Sequence, residues 1–134
     1  MNADFLTPIK DSVVAHSILL PSTSLGANMR IHTHTDGFPD LQGVNIAIFG
    51  IEEDRNTENN LGSGKDLHHI RRHLYQLYPG NWNTTIADIG NIKKGELTSD
   101  SHFAIKEVLT SLLEMNILPI IIGGGQDATF SNYK

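Results

Sequence analysis

Leu118-Pro119-Ile120-Ile121-Ile122-Gly123-Gly124-Gly125-Gln126-Asp127-Ala128-Thr129-Phe130 decides the fold of this chain. A short run of branched apolar residues ends in three glycines, and polar side chains follow. Such a run, bounded by turn residues, reads as a strand. In open α/β sheets, ligands bind beyond the carboxyl ends of the strands. Glycine carries no Cβ, so backbone or ligand can approach it closely. The glycine-ended strand is therefore a candidate site edge. The residues after it, Asp127, Thr129 and Ser131, can also cap a following helix.

Upstream, Val44-Asn45-Ile46-Ala47-Ile48-Phe49-Gly50-Ile51 reads as a buried strand. A long polar stretch from Glu52 to Gly64 separates it from a helix carried by Leu67, Ile70, Leu74 and Leu77, at three- and four-residue spacing. Pro79-Gly80 ends that helix. Thr84-Thr85-Ile86-Ala87-Asp88-Ile89-Gly90 reads as a second strand. A second helix starts at Ser99 or Asp100 and runs to about Asn116, which suits the C′ position. Phe103, Ile105, Val108, Leu109, Leu112 and Leu113 carry it. Strands alternating with helices predict an α/β fold with a parallel sheet, β-α-β-α-β, in three layers.

Residues 1–43 lack strong periodicity and are read as an irregular amino-terminal arm, with 44–134 as the α/β domain. Within the arm, Val13 to Leu20 fits a short strand or helix that Pro21 ends, and Gly26 to Gly43 reads as loop. A structureless stretch this long is unusual in a compact domain and suggests an arm packed on a neighbour or on a further part of the protein.

The 134 residues suffice for one small domain, and 39% hydrophobic with 19% charged residues is a globular composition. A net charge of −5 argues against nucleic acid, which calls for clustered Lys and Arg. The basic cluster His68-His69-Ile70-Arg71-Arg72-His73 is expected on a solvated helix face. No cysteine is present, which excludes disulfides and thiolate metal sites. No signal peptide and no membrane span of roughly 20 apolar residues is seen, so a cytoplasmic protein is expected.

Gly123-Gly124-Gly125 matches neither G-x-G-x-x-G nor the phosphate-binding loop that ends in Lys-Ser or Lys-Thr. No G-x-S-x-G elbow occurs. His32 and His34, if extended, share a face and offer two imidazoles for zinc, though loop histidines are more often surface residues. His69 and His73 stand four apart but lack the H-E-x-x-H pattern and are expected to be exposed. Asp88, at a strand end, is read either as a metal-site or supporting carboxylate, or as a buried Asp accepting from the N–H groups of Gly90 and Asn91.

Taken together, three blocks resemble the amino-terminal part of the arginase (ureohydrolase) superfamily, which includes formimidoylglutamase and agmatinase. The first is Ile46-Ala47-Ile48-Phe49-Gly50-Ile51 with Gly62-Ser63-Gly64 and Ile70-Arg71. The second is Ile86-Ala87-Asp88-Ile89-Gly90, and the third is Pro119 to Thr129 with its glycine run. The resemblance covers about residues 44–134. It implies a binuclear manganese site at the strand carboxyl ends, where bridging hydroxide attacks a guanidino or formimino carbon. It places the family's first histidine ligand at Gln126. It puts Asp88, Gly124, Gly125, Asp127 and Asn60 on the substrate side of the metals or behind them. A neutral amide oxygen is a weak ligand beside imidazole. The family's later aspartate-bearing blocks do not occur in the sequence. The resemblance thus implies an amino-terminal fragment of a hydrolase of linear amidines, inactive alone and without its own manganese, or else a degenerate domain for binding or assembly. A homo-oligomer is expected, because the last strand would leave an exposed edge.

Overall fold

The computed structural model describes residues 3–51, 67–78, 84–93 and 98–123. In chain order the elements are β1 (Leu6–Thr7), α1 (Asp11–Ile18), β2 (Arg30–Ile31), β3 (Ile46–Ile51), α2 (Leu67–Tyr75), β4 (Ile86–Ile92), α3 (Thr98–Glu114) and β5 (Leu118–Gly123). The three longer strands form the expected parallel sheet. β3 lies in the middle, with β4 on one side and β5 on the other.

The two faces of the sheet follow from strand alternation. Ala47, Phe49 and Ile51 of β3 and Ala87 and Ile89 of β4 pack against Ala104, Ile105, Val108, Leu109 and Leu112 of α3. The intervening Asp88 of β4 meets Arg71 and Tyr75 of α2 on the opposite face. Behind α2, Tyr75 packs with Ile9 and with Val13 of α1. The result is the three-layer α/β arrangement read from the sequence.

α3 ends as its Asn116 predicts. Asn116 has φ 58°, its N–H donates to the Leu113 carbonyl at 3.1 Å, and the Ile117 N–H donates to the Leu112 carbonyl at 2.9 Å. This pair of bonds is the Schellman motif, which satisfies carbonyls the helix leaves open. The chain then turns directly into β5.

The amino-terminal segment lies against this sheet. β1 pairs antiparallel with the carboxyl half of β4, and β2 pairs parallel with its amino half. The sheet as a whole is therefore mixed. Periodicity cannot reveal strands of two residues, since two positions define no alternation. α1 settles the choice left open for Val13 to Leu20: it is a helix, with Val13 and Ser17 four apart on its buried face. Irregular turns join these elements through side-chain bonds to backbone. Arg30 Nη1 donates to the carbonyls of Asp40 and Gln42, and Asn28 Nδ2 donates to those of Ser22 and Ser24. The arm thus packs on its own sheet.

β4 carries a bulge. Ile48 pairs with Asp88, but Phe49 pairs with Gly90, so Ile89 is the extra residue. Gly90 has φ 100°, and a Cβ there would collide with the Thr7 carbonyl oxygen of β1. Only glycine allows both the turn and the close approach of β1. Among the described residues, no helix is long and apolar enough to cross a membrane.

Candidate functional site

The connections mark one edge of the sheet. α2 joins β3 to its neighbour β4 on one face, whereas α3 joins β4 to β5 on the other, passing over β3. The strand order therefore reverses between β3 and β5, and such a switch point opens the crevice where α/β sheets bind ligands. Gly50 and Ile51 end β3 there, and Gly123 ends β5. The first residue of α2, Leu67, packs over both glycines.

Below this edge lies a buried polar cluster centred on Asp88. The Asp88 side chain has no exposure, and that of Arg71 has 2%. Arg71 Nε donates to Asp88 Oδ2 at 2.7 Å, and Nη2 donates to Oδ1 at 3.0 Å. This is the two-pronged geometry a planar guanidinium favours. The Tyr75 hydroxyl donates to Oδ2 at 2.5 Å, and the Gly90 N–H donates to Oδ1 at 3.2 Å. Each carboxylate oxygen thus accepts two bonds, which fills its capacity. The remaining guanidinium donors reach upward. Nη2 also donates to the Gly90 carbonyl at 3.0 Å, and Nη1 donates to Asn91 Oδ1 at 2.6 Å. Arg71 therefore ties α2 to the carboxyl end of β4.

The electrostatics agree with this pairing. Burial works against the Arg71 charge, but the Asp88 carboxylate and its hydrogen bonds outweigh it, so the guanidinium pKa is raised. Burial and then the Asp88 charge push the Tyr75 phenol far above its usual 10.0. Tyr75 stays protonated and donates.

Arg71 corrects the sequence reading of this helix. The basic cluster does not lie wholly on a solvated face, because Arg71 is among the most deeply buried side chains. The buried stripe of α2 is Leu67, Arg71 and Tyr75, while Ile70 and Leu77 are exposed. A guanidinium counts as polar in any periodicity, so its partner 17 residues later was invisible. The resemblance names Ile70-Arg71 and the Asp88 strand as separate blocks and gives Arg71 no partner. His69 and His73 are exposed, as expected.

Of the residues that the resemblance puts at the site, Asp88 alone lies within the described residues. Gln126, Gly124, Gly125, Asp127 and Asn60 lie outside them, as does the Glu52 to Gly64 stretch. Asp88 accepts from Gly90 N–H as one reading held, but Arg71 and Tyr75 are its main partners. His32 and His34 turn to different partners. The buried His32 ring bonds through Nδ1 to the Ile89 carbonyl at 2.9 Å, and exposed His34 pairs with Asp11 at 2.9 Å. Among the described residues, no three His, Cys, Asp or Glu side chains converge as a metal site would require.

Comparisons with known proteins give this geometry a context. No family model matches the sequence. A formimidoylglutamase from Streptococcus gordonii is 26% identical, in a match covering 69% of this chain and 30% of that protein. The crystal structure of Trypanosoma cruzi formiminoglutamase with Mn2+ superposes with a TM-score of 0.62 at 22% identity, covering 69% of this chain and 35% of that one. An arginase superfamily protein from the same organism gives 0.61 at 22% identity, with the same coverage.

The chain shares the fold of these structures over 69% of its length. It spans about a third of the length of the relatives it matches.

The residues described do not fit a manganese ion such as the Trypanosoma cruzi structure is solved with. Asp88 has no acceptor left to give a cation, and no convergent donor set surrounds it.

Proposed function

We propose that this chain is the amino-terminal part of an arginase-family hydrolase that cleaves a C–N bond of a linear guanidino or formimino compound. The match to a formimidoylglutamase carries this reading, together with a parallel sheet whose switch point lies at the carboxyl ends of β3 and β5. In it, Gly124, Gly125, Asp127 and Asn60 serve on the substrate side of the metals or behind them, and Gln126 takes the position of the family's first histidine ligand. Asp88 acts behind the strand ends, through Arg71. The remaining metal ligands come from beyond this sequence, and the chain alone is inactive. The protein is a cytoplasmic homo-oligomer.

The test is an assay of the protein with manganese against formimidoylglutamate, agmatine and arginine, beside a measurement of bound metal. Hydrolysis of one of them supports the reading; no hydrolysis by the full-length protein overturns it.

Gln126 favours a second reading: a degenerate domain kept for binding or assembly. Gln126→His separates the two. Tight manganese binding gained on substitution means that the other ligands are intact. No gain favours the degenerate domain.

A further inference from the structure

We propose that His69 and His73 of α2 bind one divalent cation of the zinc, nickel or copper class at the surface of the protein. The site does not rest on the hydrolase reading. The buried side chains of α2 are Leu67, Arg71 and Tyr75. At about 100° per residue, positions 69 and 73 project from the side of the helix opposite that stripe, about one turn apart. Both residues are exposed. Side chains four apart have Cβ atoms about 5–6 Å from each other, so one ion can reach both rings. Two histidines at this spacing on one helix face are a known zinc-binding pair.

The surroundings favour a nitrogen-bound ion. Among the described residues, neither imidazole has a hydrogen-bond or ion-pair partner to give up. The sequence of α2, Leu67-His68-His69-Ile70-Arg71-Arg72-His73-Leu74-Tyr75, carries no Asp or Glu. Imidazole alone suits zinc, copper and nickel, whereas manganese and magnesium favour carboxylate oxygen. The helix is also held in place before any ion arrives. Arg71 grips Asp88 through Nε and Nη2, and the Tyr75 hydroxyl donates to the same carboxylate. Little backbone freedom remains to be lost on binding. Two protein ligands leave the rest of a tetrahedral shell to water. The half-buried Arg72 brings a positive charge to the same helix, so the site is a labile one. The His68 ring lies against that of His69, with centroids 4.3 Å apart. Adjacent residues do not face one another along a helix, which makes His68 the control and not a ligand.

The test titrates the 134-residue protein with zinc chloride by calorimetry and, in 15N-labelled form, with copper(II) chloride by NMR. The expected zinc affinity falls about 100-fold in His69→Ala and equally in His73→Ala, the loss that follows when two joined binding groups become one. The double variant binds no more weakly than either single variant, because a lone imidazole forms no chelate. His68→Ala leaves the affinity unchanged. All these positions are on the outer side of α2, so the variants keep the fold. Paramagnetic copper(II) broadens the amide signals of residues 69–73 before those around His16, His34 and His102, while manganese(II) leaves residues 69–73 sharp. Zinc affinity that survives either single substitution overturns the proposal. So does copper broadening centred away from α2, or a loss in His68→Ala as large as that in His73→Ala.

Discussion

The two faces of the central sheet are held by different physics. On the α3 face, Phe49, Ile51, Ile89, Ile105, Val108 and Leu112 form a continuous apolar layer. Each contact there is non-directional, and its worth scales with the area removed from water. On the α2 face, a buried carboxylate, a guanidinium and a phenol replace that layer. Such a cluster adds little net stability, because desolvation offsets most of the attraction, but breaking it is costly. An apolar layer tolerates small slides, whereas a two-pronged ion pair admits one geometry. The face that locates the candidate site edge is the directional one.

That contrast can be broken most forcefully at Arg71. Arg71→Met leaves Asp88 charged and buried, and is expected to cost about 3–5 kcal/mol in urea denaturation. Replacing Arg71, Asp88 and Tyr75 together by Met, Leu and Phe should recover most of that loss, which no apolar-face variant can imitate. Leu112→Ala, on the other face, is expected to cost about 3 kcal/mol from lost contact and a residual cavity. Combined with Arg71→Met, it should add within about 0.5 kcal/mol. A larger coupling would mean that the faces are not independent.

Gly90→Ala tests the bulge that lets β1 approach. Strain at positive φ is expected to cost about 2 kcal/mol, and the collision with Thr7 should speed amide exchange at the β1–β4 pairing while leaving β3 and β5 protected. Tyr75→Phe removes one donor from Asp88 and should cost about 1.5 kcal/mol near neutral pH. Its pH dependence has a definite sign. The folded phenol pKa is raised, so above pH 10 the unfolded chain loses a proton that the folded chain keeps. Wild-type stability should then fall with rising pH by about 1.4 kcal/mol per unit more than that of Tyr75→Phe. Equal slopes would remove Tyr75 from the cluster. The smallest effect is expected on the α3 side, where Asn116→Ala places a less tolerant residue in the left-handed region and should lower the melting midpoint by an equivalent of about 1 kcal/mol.

The legibility of the sequence follows the same division. The apolar face could be read directly, because Ile105, Val108, Leu109 and Leu112 recur at helical spacing and all are buried. Even there, Phe103 and Leu113 carry the same spacing and are 57% and 60% exposed. Spacing marks the flank of a stripe as readily as its centre. The directional face was opaque. Ile70 and Leu77 mimic an apolar stripe while Arg71 and Tyr75 form the real one, and no periodicity links Arg71 to Asp88. Gln126 and its glycines stand out in the sequence as chemistry, whereas Leu67, which packs over Gly50 and Gly123, reads as an ordinary core leucine.

The division of β4 between β1 and β2 has a consequence for how the molecule associates. Short segments running in opposite directions occupy the outer side of β4. Hydrogen-bonding groups there are already spent, and the change of direction offers no uniform template to an incoming strand. Among the described residues, β5 is bonded on one side alone, to β3. A sheet stoppered at one end behaves in assembly like a monofunctional monomer. Growth of the described sheet is thereby directed to the β5 side, whereas a sheet open at both ends can extend in either direction.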